Sequence, residues 1–504
     1  MNNPNISISC LMAVLSAGVL SAETYYYVGE NSTKFESPDS WSTTPDGLTA
    51  ATSAPTASTD IVIGSAAAKT SFEMSYSGTS MGSLTLTSDY AGDLFRIAGW
   101  NGNPANQPFR IAGDLNAEEY SEGTERTFQM ASLINTEPEV GMGMYIGGNI
   151  NAQSGNTIKL GSQETTWNGQ LSGYVEVGTA GVAGSGNINV TAGANNASVR
   201  FGAAGPVNSA AAGIDNPNVL VRGVVNLSST GAGKASIVMY SGGYYTAAAE
   251  KRSTFVKVGG ISGKGIIYGD TASTYISGEA YPIQTSLVFA NSGVSTFDGN
   301  IAKIWTEKTD RRGQDVSVNL VMEGTGTQVI KGGDVVEVTS VEVRSGRLDL
   351  SNPSGTTYGA ISLDGGTLGV AGTSSSGIGE LNAESIAWNG GSIAIDISGN
   401  SADMFHVVDF KKGLAENFVF DFNIIGDVFE DTKYLIGVVD GEFGFDAAKD
   451  FSFSANGYLV DFEWAADELS LYATFTQIPE PASVAAALGV IALGLAAGLG
   501  GRRR

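Results

Sequence analysis

Gly113-Asp114-Leu115-Asn116, Gly148-Asn149-Ile150-Asn151, Gly186-Asn187-Ile188-Asn189, Gly223-Val224-Val225-Asn226 and Gly259-Gly260-Ile261-Ser262 follow one another at intervals of 35, 38, 37 and 36 residues. A looser copy, Gly299-Asn300-Ile301-Ala302, stands 40 residues further on. Each reads as glycine, any residue, an aliphatic, then a small polar residue. A strand that ends in glycine and resumes with an aliphatic suits a coil whose backbone turns a corner and sends the next apolar side chain inward. Glycine, and Asn better than most residues, accept the positive φ such corners often need. Recurrence at this period implies stacked units that each bury a face against a neighbour. An antiparallel β-sandwich array with similar turn chemistry fits the same spacing. The pentapeptide Phe-Arg-Ile-Ala-Gly, at 95–99 and again at 109–113, adds to the self-similarity.

Composition agrees with many short strands. Of 504 residues 68 are Gly and only 15% are charged, and Ser, Thr, Ala and Asn fill the stretches between short apolar runs. The net charge is −24, from 27 Lys+Arg against 51 Asp+Glu, and without the three terminal Arg it would be 24 against 51, or −27. No basic stripe is visible in the body, so nucleic acid is not an expected partner. Cys10 is the only cysteine; if it leaves with a signal peptide, the mature chain has no disulfide, Cys-ligated zinc or thiol nucleophile.

The stretch 319–398 is the most regular. Glu323-Gly324-Thr325-Gly326-Thr327-Gln328-Val329-Ile330 is followed by Thr339-Ser340-Val341-Glu342-Val343-Arg344-Ser345-Gly346-Arg347-Leu348-Asp349-Leu350, where Val341, Val343, Leu348 and Leu350 alternate with polar residues as in a half-buried strand. Leu363-Asp364-Gly365-Gly366-Thr367-Leu368 and Trp388-Asn389-Gly390-Gly391-Ser392-Ile393 look like further rungs. The segment resembles the autotransporter-associated β-strand repeat, and that resemblance implies an all-β fold: an elongated right-handed parallel β-helix, or solenoid. No run of amphipathic strands suited to a membrane barrel follows it. Residues 81–400 are therefore assigned to β-helix repeats. Residues 23–80, with Tyr25, Tyr26, Tyr27 and Trp41, read as an N-terminal β cap, and 401–477, richer in Phe, as a C-terminal β cap or small sandwich.

Both ends read as addresses. Residues 1–22 have the apolar core and small-residue exit of a secretory signal peptide, with cleavage expected between Ala22 and Glu23. At the other end Pro479-Glu480-Pro481 precedes the uncharged run Val484 to Gly501, and Arg502-Arg503-Arg504 closes the sequence. Eighteen residues at about 1.5 Å rise give roughly 27 Å, enough for a transmembrane helix, and the three Arg would hold its end on the cytoplasmic side. Residues 478–504 resemble the PEP-CTERM sorting signal of bacteria that make extracellular polysaccharide. That resemblance implies recognition by the membrane protease-transferase exosortase, cleavage near Pro479-Glu480-Pro481, transient anchoring in the inner membrane, and delivery to the cell envelope, surface or extracellular matrix.

Chemistry-bearing constellations are sparse. His406, the only histidine, lies in an apolar strand and reads as a core or edge residue. Asp298, Asp310 and Asp315, beside Arg311 and Arg312, and the set Asp421, Asp427, Glu430 and Asp431 read as solvated loop acids, although a carboxylate pair on a β-helix would suit a lyase or glycosidase and clustered acids would suit calcium. The expectation is a surface structural or adhesin-like protein, not an enzyme, with no cofactor or metal and with exopolysaccharide or other surface glycans as partners. The alternative is a polysaccharide-degrading enzyme on the same scaffold.

Overall fold

The computed structural model describes residues 22–29, 35–67, 71–76, 80–99, 109–121, 125–132, 144–160, 174–202, 214–215, 217–241, 254–271, 275–276, 279–280, 283–303, 316–352, 355, 357–372, 377–429 and 432–478. Nearly all regular structure is β, arranged as a coil with three sheets. The repeated motif falls where its spacing requires. Leu115–Ala117, Ile150–Gln153, Ile188–Ala192, Val225–Ser229 and Ile261–Gly263 are consecutive parallel neighbours in the first sheet, and Leu115, Ile150, Ile188, Val225 and Ile261 share one register. All five aliphatics are at most 1% exposed, so the antiparallel sandwich array is excluded for these rungs.

Each rung of this half visits three sheets. From Leu115–Ala117 the chain passes to Arg126–Ser132 in the second sheet and Met144–Ile146 in the third, then returns to Ile150–Gln153. The interior is filled by stacks of like residues one rung apart: Phe95, Phe128, Ile158, Val199 and Ile237 from the second sheet, and Ile111, Ile146, Val177, Val221 and Val258 from the third.

Among the described residues the second sheet has eight strands, whereas the first has 17 and the third 15. The looser copy Gly299-Asn300-Ile301-Ala302 accounts for the difference. It does not continue the first sheet: Asn300–Ala302 pairs with Ile266–Thr271 as the last strand of the second sheet, and the first-sheet place is taken by Val294–Phe297. An isolated parallel bridge from Ile301 to Val336 closes that edge. Beyond it, Val316–Met322, Thr327–Ile330, Ser340–Val343, Arg347–Leu350, Tyr358–Leu363 and Thr367–Val370 alternate between the third and first sheets alone. Register partners Thr327, Arg347 and Thr367 are accordingly only 20 residues apart. The two Phe-Arg-Ile-Ala-Gly copies are likewise not equivalent, since Phe95 lies in the second sheet and Phe109 in the third.

Parallel pairing also runs outside 81–400. In the first sheet it begins with Glu23–Tyr27 against Thr59–Ile63 and ends with Phe418–Val428 against Phe451–Ala455. Fifteen parallel strands at about 4.8 Å give a ladder roughly 65–70 Å long. Antiparallel pairs mark the ends, Trp41–Ser42 against the first strand, and Lys433–Val439, Ser470–Gln477 and Tyr458–Ala465 closing the third sheet, and two short hairpins, Tyr275–Ile276 with Glu279–Ala280 and Ser392–Gly399 with Ser401–Ala402. Aromatic rings fill both ends. Trp41 stands edge-on to Tyr27 and Phe35 at 5.3 and 5.2 Å, and its Nε1 donates to the Phe35 carbonyl. At the far end Trp388, Phe410, Phe418, Phe420, Phe445 and Phe451 form one cluster. Among the described residues no helix is long and apolar enough to cross a membrane; the expected helix at 484–501 lies outside them.

Candidate functional site

The motif carries two ladders of side chains, which explains its polar positions. The outward-facing Asn116, Asn151, Asn189 and Asn226 form an amide ladder: each Nδ2 donates to the Oδ1 of the rung before at 2.7–2.8 Å, Asn116 donates to Thr85, and the Ser262 hydroxyl donates to Asn226. At the preceding corner the side chains of Asp60, Asp114, Asn149 and Asn187 accept the backbone N–H of Ser83, Asn149, Asn187 and Val224 in the following rung. These acceptors satisfy corner amides that the strand ladder leaves over. Of the leading motif glycines only Gly186, with φ +87°, adopts the left-handed conformation, while Gly260, second in its copy, has φ +135°. The others are required by close approach: a Cβ at Gly148 would lie 2.7 Å from the backbone of Gly113, and one at Gly259 would lie 2.7 Å from the Arg222 carbonyl.

Three buried polar groups serve as internal fasteners. Arg126 is fully buried at the corner between first and second sheets; its guanidinium donates to Asn156 Oδ1 at 2.8 Å and to the carbonyls of Thr87 at 2.7 Å and Glu118 at 2.9 Å, and stacks over the Tyr120 ring. Burial depresses its pKa to about 10, so it remains charged at neutral pH. Gln328, inward-facing and fully buried, sits where the first sheet is thinnest, since Gly263 and Phe297 are the only register partners between Ile261–Gly263 and Val294–Phe297. Its amide accepts from the Ile261 N–H and donates to the Ile261 carbonyl at 3.0 and 2.9 Å. Asp403, 1% exposed, accepts from the N–H groups of Gly379 and Asp396 at 2.7 and 2.8 Å. Burial pushes its carboxyl up to about 7 despite those two donors. The sequence reading missed all three, because a lone Arg, Gln or Asp among strands has no periodicity to single it out.

Among the described residues, the acids and the histidine noted in the sequence do not converge. His406 is not in the core: it faces outward, half-exposed, with Nε2 2.9 Å from Asp440 Oδ2. Asp421 points outward from Phe418–Val428, Asp298 stands between two strands, and Asp310, Asp315, Glu430 and Asp431 lie outside the described residues. On the outer face of the third sheet Arg110 stacks on Tyr145, Tyr145 meets Tyr174 edge-on at 5.8 Å, and Glu176 accepts from the Tyr174 hydroxyl and from Arg222. Burial and the adjacent Glu176 carboxylate hold the Tyr174 phenol well above its usual range. Among the described residues no group of three His, Cys, Asp or Glu is placed to hold a metal ion.

The two expected processing sites meet the fold differently. Ala22 and Glu23 are exposed, and Glu23 is the first residue of the first parallel strand, in register with Thr59. Cutting between them would leave a new N-terminus with no overhang, directly at the coil. At the other end Ser470–Gln477 pairs up to Gln477 with Tyr458, and the Ile478 N–H donates to the Gly457 carbonyl at 2.9 Å. Pro479 follows at once. Pro479, Glu480, Pro481 and Arg502, Arg503 and Arg504 lie outside the described residues, but their distance along the chain from the last strand is fixed: one residue separates fold from motif.

No curated protein matches the chain. Residues 477–504 match the family model of the PEP-CTERM protein-sorting motif, which supports an exported, cell-envelope-associated protein whose tail is recognised by exosortase.

Proposed function

We propose that this chain is a structural or adhesin-like protein of the cell surface or extracellular matrix, a right-handed β-helix of the autotransporter-associated kind whose tail is cut by exosortase after passing through a transmembrane stage. The carrying observation is the unbroken first-sheet ladder from Glu23 to Ala455, closed by third-sheet strands of which the last, Ser470–Gln477, is one residue from the sorting motif. Such a coil gains length by adding rungs that contact only their neighbours, which suits a spacer or matrix element. The right hand follows from the twist of L-residue strands, which favours that sense for parallel crossovers. Signal-peptide removal between Ala22 and Glu23 belongs to the same proposal, as does the absence of catalysis.

Surface glycans are the partners this reading names. Tyr145 and the amide ladder of Asn116 to Asn226 are part-exposed groups of the chemistry that contacts sugar rings and hydroxyls. Incubating the purified body with a panel of acidic and neutral polysaccharides tests the proposal. Binding or matrix retention without depolymerisation is expected; turnover releasing new reducing ends or unsaturated sugars would overturn it in favour of a lyase or glycosidase.

A further inference from the structure

The end of the coil from which the tail departs carries an apolar rim. Ile425, Phe429, Leu459 and Ile478 are 40, 55, 54 and 47% exposed. They share one corner. Phe418–Val428 ends there and Lys433–Val439 begins; Ser470–Gln477 runs antiparallel to the latter and finishes beyond it, beside the turn that opens Tyr458–Ala465. Phe429 N–H donates to the Tyr434 hydroxyl at 2.9 Å, and the rings of Tyr434 and Tyr458 both stand edge-on to Phe475. Leu48, Val182 and Val294 lie far apart in the rung order, whereas Val408, Leu414, Phe453 and Leu469 are exposed elsewhere in the last rungs.

Tether length says what covers this rim. Five residues, 479 to 483, separate Ile478 from Val484, where the uncharged run begins. Even fully extended they span at most about 18 Å. With 484–501 across a bilayer, Ile478 stays within about 18 Å of the hydrocarbon edge, a reach that includes the headgroup layer of about 5–8 Å.

We infer that, while the tail is inserted, Ile425, Phe429, Leu459 and Ile478 rest on the lipid surface, standing the coil upright with Pro479 at the interface where a membrane-embedded enzyme reaches it. This rests on the anchored stage proposed above. The lipid it fits is electrically neutral at its headgroup: Asp461 is exposed on the strand that carries Leu459, Glu463 beyond it is neutralised by Lys433 at 2.7 Å, and Asp427, Glu430 and Asp431 flank Phe429 in the sequence, which leaves the acids in excess. Anionic headgroups repel such a rim.

The chain from Glu23 onward has no cysteine, so single labels are available. Leu459→Cys, Phe429→Cys, Leu48→Cys and Leu493→Cys, each carrying an environment-sensitive fluorophore, are reconstituted in phosphatidylcholine nanodiscs. We expect the labels at 459 and 429 to brighten several-fold and resist aqueous iodide, the label at 48 to stay quenchable, and phosphatidylglycerol to weaken the effect at 459 and 429. Labels at 459 and 429 as quenchable as that at 48, with the tail label at 493 protected, would overturn the inference alone. A quenchable label at 493 would overturn the anchored stage and this inference with it.

Discussion

Replacing Arg126 by Met removes a charge from the interior and leaves its hydrogen-bond partners behind. The Thr87 and Glu118 carbonyls and Asn156 Oδ1 lose donors at 2.7, 2.9 and 2.8 Å, and each buried acceptor so orphaned costs about 1–3 kcal/mol. Against this stands the relief of an unfavourable burial. A pKa lowered from 12.5 to about 10 corresponds to about 3 kcal/mol returned when the charge is removed. Three such acceptors cost about 3–9 kcal/mol, so the net expectation is a loss of up to about 6 kcal/mol. Because rungs are stabilised chiefly by their neighbours, the loss should be local. Hydrogen exchange followed by mass spectrometry should show weakened amide protection over the rungs from Leu84 to Leu160 and unchanged protection beyond Thr327. Arg126→Lys, with three donors on a point charge in place of a planar fork, should recover only part of it. Wild-type protection in Arg126→Met over 84–160 would refute the assignment of Arg126 as a fastener of three rungs.

Gln328→Leu should expose the join between sheets: with the Ile261 N–H and carbonyl unpartnered, protection over 261–297 is expected to fall by about 2–4 kcal/mol in exchange experiments. Gly148→Ala should destabilise the Gly113 corner by about 2 kcal/mol or more, read as a lower urea midpoint, since the added methyl meets the Gly113 backbone as well as the Asp114 carboxylate that accepts the Asn149 N–H. Asn151→Ala should cost less, about 1–2 kcal/mol, because it breaks two side-chain bonds on a part-exposed face. Asp403 predicts a pH dependence. Its folded pKa, about 7, lies above the usual carboxylate value of 3.8, so its contribution is fully present below about pH 4 and is lost as pH rises to about 7, by about 4 kcal/mol in all. Asp403→Asn should flatten the stability profile by up to one proton across that window, and an unchanged slope would remove Asp403 from the account.

The coil was legible in the sequence where one interior position and two polar ladders recur together. Leu115, Ile150, Ile188, Val225 and Ile261 share a register that their spacing alone foretold. The reading failed at Gly299 for a physical reason: the same glycine-aliphatic corner serves any sheet of a coil, so the motif marks a corner and not which corner. Nor could spacing show that motif glycines answer mainly to the neighbouring rung, because close approach there is set by residues 30 or more positions away. The sorting tail was legible from order and charge alone, whereas Arg126, Gln328 and Asp403 act through contacts to backbone groups, which leave no trace in residue types.

The narrowing of the coil at Ile301 connects these points. Removing the second sheet shortens the rung to 20 residues and leaves an interior one strand narrower, so the two halves cannot share the same packing. The chain meets this step with the bridge from Ile301 to Val336 and with Gln328, which reaches back two rungs to Ile261. A fully satisfied polar contact specifies position more sharply than another aliphatic would, because its alternatives leave buried groups unpaired. If Gln328 fixes the step in this way, Gln328→Leu should do more than lower stability: it should loosen the register between Ile261–Gly263 and Val294–Phe297, which a single residue pair now holds. Disulfide trapping between cysteines placed at Gly263 and Phe297, or one strand position off register, separates the two outcomes. Trapping confined to the native pair in both proteins would show that the step is set by the strands themselves and that Gln328 only adds stability.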